Sequence, residues 1–223
     1  VLNKVVLDIE TVGFPFESFD SKQQEYLLKF AENKTEVEEK KQQLNLYPLT
    51  AQVVTIGLFN PDTEKGKILF QSDKEEEFIS DDETVHYLSG SEKTILEEFW
   101  KIIPQYNQFI TFNGRGFDSP FLMIRSAILE IRTSINLVPY RFSTDKHIDL
   151  LEQLTFYGAT RKFNLDFYCK QFGIDSPKSH GTTGLNINEM FANKAFKEIA
   201  DYCLGDLRAT SLLYKRWLNY IAH

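Results

Sequence analysis

Two carboxylates spaced two residues apart, Asp8 and Glu10, close a strongly apolar stretch that begins at Val1. In an extended strand, side chains at i and i+2 share a face, so both acids can reach a common point. The spacing alone is weak, since composition predicts about one such pair by chance. The chain in fact holds four, starting at Asp8, Asp62, Asp73 and Asp81. The last three fall in turn-like or highly polar stretches. Only the first ends an apolar strand, where carboxylates are costly to bury without a compensating cation, and that cost points to a metal.

Two further groups follow. Asn113-Gly114-Arg115-Gly116-Phe117-Asp118 lies at the end of another apolar run, with glycines that permit unusual backbone angles at a sharp turn. Taken alone, an Asp before Ser119-Pro120 reads first as a helix cap. In Tyr202-Cys203-Leu204-Gly205-Asp206, helical i, i+4 spacing puts the phenol and the carboxylate on one face, although a solvated pair would look the same. Together, four carboxylates from two strand ends and a helix can converge into a set of oxygen ligands suited to Mg²⁺ or Mn²⁺ rather than zinc. Two such ions ~4 Å apart can activate a water and stabilise the leaving oxygen of a phosphodiester.

The elements that must position these groups are legible in outline. Val1 to Ile9 reads as a central strand. Residues 21–45 are polar and helix-favouring, an exposed helical insertion with a solvated Glu/Lys face. Val53 to Asn60 and Lys67 to Gln71, separated by PDTEKG, predict an antiparallel hairpin. Ser91 is placed to cap a helix over Glu92 to Ile103, Gln108 to Phe112 is another strand, and Ser119-Pro120 opens a helix to about Ile131. Short helices are expected at Leu165 to Phe172 and Ile187 to Ala192, and a long one from Ala195 onward. Strands interleaved with helices indicate an α/β domain with a mixed sheet whose first three strands form an antiparallel meander.

The 223 residues suffice for one well-packed domain. With 32 acidic against 25 basic residues the net charge is −7, which argues against a protein that coats nucleic acid by bulk electrostatics. A phosphate-binding surface would draw on Arg115, Arg125, Arg132, Arg141, Arg161, Lys162 and Lys178, each of which also fits an ordinary solvated charge. Cys169 and Cys203 form no CxxC pair and suggest neither a zinc site nor a disulfide framework. No apolar run approaches the ~18 to 20 residues of a membrane span, and no charged-then-apolar leader precedes the first strand. The expectation is a cytoplasmic protein without a membrane partner.

Asp8-Ile9-Glu10, NGRGFD and YCLGD, in that order, resemble the three exonuclease motifs of the DEDD superfamily (DnaQ-like), whose fold is ribonuclease H-like. Tyr202 matches the tyrosine subgroup; the histidine subgroup would need His five residues before Asp206, where Asp201 stands. The arrangement is similar to predicted exonucleases related to the proofreading domain of family B DNA polymerases. His147 to Leu154, the Gly158 and Gly173 spacing and the Lys178-to-Gly181 loop share in the likeness, which spans nearly the whole chain. It implies a central mixed sheet of five or six strands flanked by helices, and residues 1–223 as a single 3′-5′ exonuclease domain with 21–45 as a helical insertion.

The resemblance also implies roles. Asp8 would bridge two divalent cations, Mg²⁺ or Mn²⁺. Glu10 and Asp206 would ligate the ion that binds the nucleophilic water, Asp118 would hold the second, and Tyr202 would orient the water. Asn113, Phe117 and Lys178 are the candidate substrate-binding residues. The implied partner is single-stranded nucleic acid or a 3′ overhang, DNA ahead of RNA, with a separate polymerase or repair protein alongside. Asp149 reads as a helix cap or surface carboxylate, His180 as a surface residue, and Phe14 and Phe16 as packing residues that could also stack on a base. Rivals are a catalytically silent nucleic-acid-binding module on the same fold, and an endonuclease using the same metals.

Overall fold

A computed structural model of the chain describes residues 3–175 and 186–222. Lys178 and His180 therefore lie outside the described residues. The first strand, β1 (Lys4–Gly13), owes its position to aliphatic residues on both faces: Val6 looks one way, and Val5, Leu7 and Ile9 the other. It lies between β2 (Ala51–Phe59), which it pairs antiparallel, and β6 (Gln108–Thr111), which it pairs parallel. Beyond β2 come β3 (Gly66–Gln71), β5 (Val85–Gly90) and β4 (Glu77–Ile79); beyond β6 comes β7 (His147–Asp149).

The sheet thus has seven strands in the order β4-β5-β3-β2-β1-β6-β7, where five or six were expected. The excess is physical. At three residues, β4 and β7 are too short to display an alternating pattern, and all of β4 is exposed. It is held as an edge by β5, with Phe78 stacked on Tyr87 at 4.9 Å. The antiparallel meander β1-β2-β3 is as expected.

Helices cover both faces. On one side lie α3 (Glu92–Ile102), capped by Ser91 as expected, and α4 (Asp118–Ile128), which bury Phe99, Trp100, Phe121 and Leu122. The other side carries α5 (Leu150–Leu154), α6 (Leu165–Gln171) and the long α8 (Phe196–Tyr220), with α7 (Ile187–Ala192) against the end of β1. The insertion is helical and forms α1 (Ser21–Leu28) and α2 (Lys34–Gln42), because Asp20 and Asn33 each start a new helix by capping it. Neither buries a residue. Phe14 and Phe16, just before the insertion, stand against Arg125 and Lys41. No described helix is long and apolar enough to cross a membrane.

Two contacts set the spacing of these layers. Arg125 is buried in a bidentate pair with Glu92 (2.6 and 2.9 Å), and Glu92 also accepts the Val53 N–H at 2.8 Å. Arg125 thus ties α3, α4 and β2 together, and burial removes it from the expected phosphate-binding surface. On the opposite face Gly57 admits α8: a Cβ there would lie 2.4 Å from Leu207 Cδ1 and 2.8 Å from Cys203 Sγ. Even one methyl must displace the Leu207 and Cys203 side chains or the helix that carries them. Gly57→Ala is expected to cost about 1–3 kcal/mol of unfolding free energy, read from urea denaturation; an unchanged midpoint would show that α8 is not held so close.

Candidate active site

Past Val6, which pairs with Ile110, one edge of β1 has no strand beside it among the described residues, while its pairing with β2 continues through Asp8 opposite Gly57 and Glu10 opposite Thr55. The Ile9 N–H, beyond that point, donates to Asp118 Oδ1 at 3.0 Å. A side chain from α4 thereby takes the place of a neighbouring strand and sets a third carboxylate beside the first two. Phe117 is the cap position of α4 and Asp118 its first helical residue, so the carboxylate serves β1 rather than a plain cap. After Glu10 the register with β2 shifts, a bulge of the kind that re-aims side chains.

The loop that delivers Asp118 differs in detail from expectation. Its left-handed backbone belongs to Asn113 (φ 65°), not to either glycine. Gly114 is required for space, since a Cβ there would lie 2.4 Å from Thr111 Cβ. The loop is fastened by Asp149, which is buried and accepts the N–H groups of Asn113 (3.0 Å), Arg115 (2.9 Å) and Leu151 (3.0 Å). Asp149 caps α5 as expected, and it also clamps the loop. From sequence Asp149 could also approach the site, but its part as a clamp had no signal, because a cap has a local signature and a contact across 36 residues has none. Arg115 is buried too, donating to the carbonyls of Pro139 and His147 and pairing with Glu152, so it is not a phosphate ligand on the surface.

The remaining groups come from α8. One turn apart, Tyr202 hydrogen-bonds Asp206, and Cys203 between them is wholly buried against Asp8. Single oxygen or sulfur atoms of Asp8, Glu10 and Cys203 lie within 4.8 Å of one another. Burial first, then the charges of Asp118, Glu10 and Asp206, hold Asp8 well above the usual carboxylate range. Asp118 is pushed up to about 7 by burial, against the N–H bonds it accepts, with Asp149 and Asp206 adding to the rise. Tyr202 is likewise raised by burial and then by Asp206, Glu10 and Asp8, so its phenol stays a donor. Crowded carboxylates that resist ionisation form an oxygen-rich set that fits a hard divalent cation, whose charge would relieve the repulsion.

Asp8 and Asp206 open onto a groove of about 440 Å³ whose walls include Phe112, Asn113, Lys162 and Phe163. Of the expected substrate-binding residues, Asn113 lines it. Phe117 does not line it and is partly buried, packed against the core on the α3/α4 side with its ring 5.4 Å from that of Phe121. Lys162 is exposed at the groove, whereas Arg141 pairs with Glu152 at 2.7 Å. The sequence placed Lys162 only among seven surface cations; nothing local marked it as lining the groove.

A family described as "Predicted 3'-5' exonuclease related to the exonuclease domain of PolB" matches residues 67–222. That span holds Asp118, Tyr202 and Asp206 but begins after Asp8 and Glu10. "DNA polymerase 1" of Sulfolobus acidocaldarius is 24% identical over 168 residues, 71% of this chain and 19% of the polymerase. The family B DNA polymerase from the hyperthermophilic archaeon Pyrobaculum calidifontis superposes with a TM-score of 0.63 at 16% identity, over 98% of this chain and 25% of that one. The chain therefore spans only about a fifth to a quarter of these relatives. The sheet and its helices are those of the ribonuclease H-like fold implied by the motifs.

Raised carboxyls give the folded state a pH signature. Between the unfolded value near ~3.9 and the folded value of about 7, folded Asp118 holds a proton that the unfolded chain has released. The stabilisation is complete below that window and is lost as pH rises through it. In chelator-treated buffer, unfolding free energy should fall with rising pH by up to ~1.4 kcal/mol per unit for this one group. Asp118→Asn, which keeps an acceptor for Ile9, should flatten the profile; equal slopes in the two proteins would refute the coupling.

Proposed function

Because this chain belongs to the family of predicted 3′-5′ exonucleases related to the exonuclease domain of PolB, we propose that residues 1–223 act as one metal-dependent exonuclease domain of the tyrosine subgroup, trimming 3′ ends of single strands. The observation that carries this reading is the meeting of Asp8 and Glu10, which lie outside the matched span, with Asp118 and Asp206, which lie inside it, around Asp8, with Asp8 and Asp206 opening onto one groove. Asp8, Glu10, Asp118 and Asp206 would hold two divalent cations, Mg²⁺ or Mn²⁺. Such ions, when bound, supply an activated water and stabilise the leaving oxygen of a phosphodiester.

The chain's own groups do the rest. Tyr202, kept neutral with its O–H bonded to Asp206, orients the attacking water by accepting from it through the phenol oxygen. Lys162 meets a substrate phosphate with a full charge, and Phe112 and Phe163 offer rings for the bases of an unpaired end. The two relatives are DNA polymerases and are matched over only part of their length. That favours DNA over RNA as substrate and a separate polymerase or repair protein as partner.

With a 5′-labelled single-stranded oligonucleotide and Mg²⁺ or Mn²⁺, the expected product is a ladder of shortened strands, with a circular strand left intact. Asp8→Ala should reduce the rate by roughly a thousandfold or more, the several kcal/mol that metal chemistry supplies. Binding without cleavage, or full activity in that variant, would sink the assignment. Lys162→Ala should instead raise KM roughly tenfold, the worth of one charge-assisted contact, with kcat near wild type; an unchanged KM would remove Lys162 from the phosphate path.

A further inference from the structure

One side chain among the acids is neither acidic nor exposed and has no part in the chemistry proposed above. Cys203 Sγ lies 3.7 Å from Asp8 Oδ2 and 3.8 Å from the Asp8 carbonyl oxygen. In the ionised form of Asp8 that a cation requires, both of those oxygens are acceptors, so the thiol is the donor, to one or the other. The sulfur is lodged where the facing strand has no side chain: Gly57 is the direct partner of Asp8, and a Cβ on it would sit 2.8 Å from Sγ. Space has been cleared on β2, opposite the central acid, for an atom of α8 to touch it. Cys169, the other cysteine, is equally buried but packs within the apolar core around α6 and α8.

We infer that Cys203 is the positioning residue of Asp8: its S–H holds Oδ2 on the α8 side and fixes the rotation of the carboxylate, leaving the other oxygen for a divalent cation. The choice of a thiol has a physical logic. A lysine or arginine in that position would neutralise Asp8 and compete with the cation, whereas a weak neutral donor orients the carboxylate while leaving its charge in place. Apolar volume alone would fill the space and leave the rotation open. Groups that orient a ligand in this way typically contribute about 10–100-fold to metal affinity.

The inference rests on the metal-dependent reading above, and its test separates the two. Mn²⁺ binding to the full chain, without nucleic acid, is measured by isothermal titration calorimetry for wild type, Asp8→Ala, Cys203→Ala, Cys203→Val and Cys203→Ser, with folding of each verified by circular dichroism. Cys203→Val refills the volume that Cys203→Ala empties, so a loss common to both is not a cavity effect. Both donor-free variants should bind Mn²⁺ about tenfold more weakly or worse, Cys203→Ser should stay close to wild type, and oligonucleotide affinity in chelator should be the same in all three. Wild-type affinity in Cys203→Ala and Cys203→Val, or an equal loss in Cys203→Ser, overturns the positioning role while Asp8→Ala still shows the metal site. Undiminished affinity in Asp8→Ala overturns the metal reading itself, and the role of Cys203 with it.

Discussion

Asp8, Glu10, Asp118 and Asp206 repel one another in a setting that burial makes worse, and Asp8 and Asp118 cling to their protons as a result. No local segment would hold such a group together. The fold does so by giving each acid an anchor of its own. Asp8 and Glu10 sit on a strand with aliphatic side chains on both faces, Asp118 is bonded to that strand's backbone, and Asp206 rides on a helix seated over a glycine. The loop before Asp118 is fastened by yet another buried carboxylate, Asp149, whose charge adds to the strain it helps contain. Neutralising that crowd is the one favourable step the protein cannot make with the four acids alone.

Much of this was legible in the sequence, and what was not shares a cause. The central strand, the β2-β3 hairpin, the Ser91 cap, α7 with its ends, and the long terminal helix follow from local patterns of apolar spacing and capping. The pairing of Asp8-Ile9-Glu10 with NGRGFD and YCLGD was visible because motif order survives where overall identity does not. Strands β4 and β7 were invisible because three residues carry no period, and β5, whose VHYLSG run ends in Ser-Gly, was not read as a strand either. The roles of Gly57, Asp149 and Arg125 were invisible because each depends on what lies across the fold. A glycine in a strand announces a missing side chain, not the helix that needs the room.

The relatives divide the same way. Sequence likeness to the archaeal polymerases is thin, at 16 and 24%, yet the fold extends over nearly the whole chain. The family match starts at residue 67, beyond the first two acids, so it is the β1 strand that joins Asp8 and Glu10 to the matched residues. Buried arginines show why charge counting misleads here. Arg115 and Arg125 look like phosphate ligands on paper but hold backbone and acid partners inside, leaving Lys162 as a cation exposed at the groove.

The contact that replaces a strand beside β1 also dictates an order of events. Ile9 and Asp118 are 109 residues apart in the chain, and Asp8 and Cys203 are 195 apart. Such distant closures form late and slowly, since the entropy of the intervening loops must be overcome first. Because β1 precedes α8 in the chain, Asp8 and Glu10 are made before the helix that completes their cluster. An intact cluster is therefore a report that β1, α4 and α8 have all found one another.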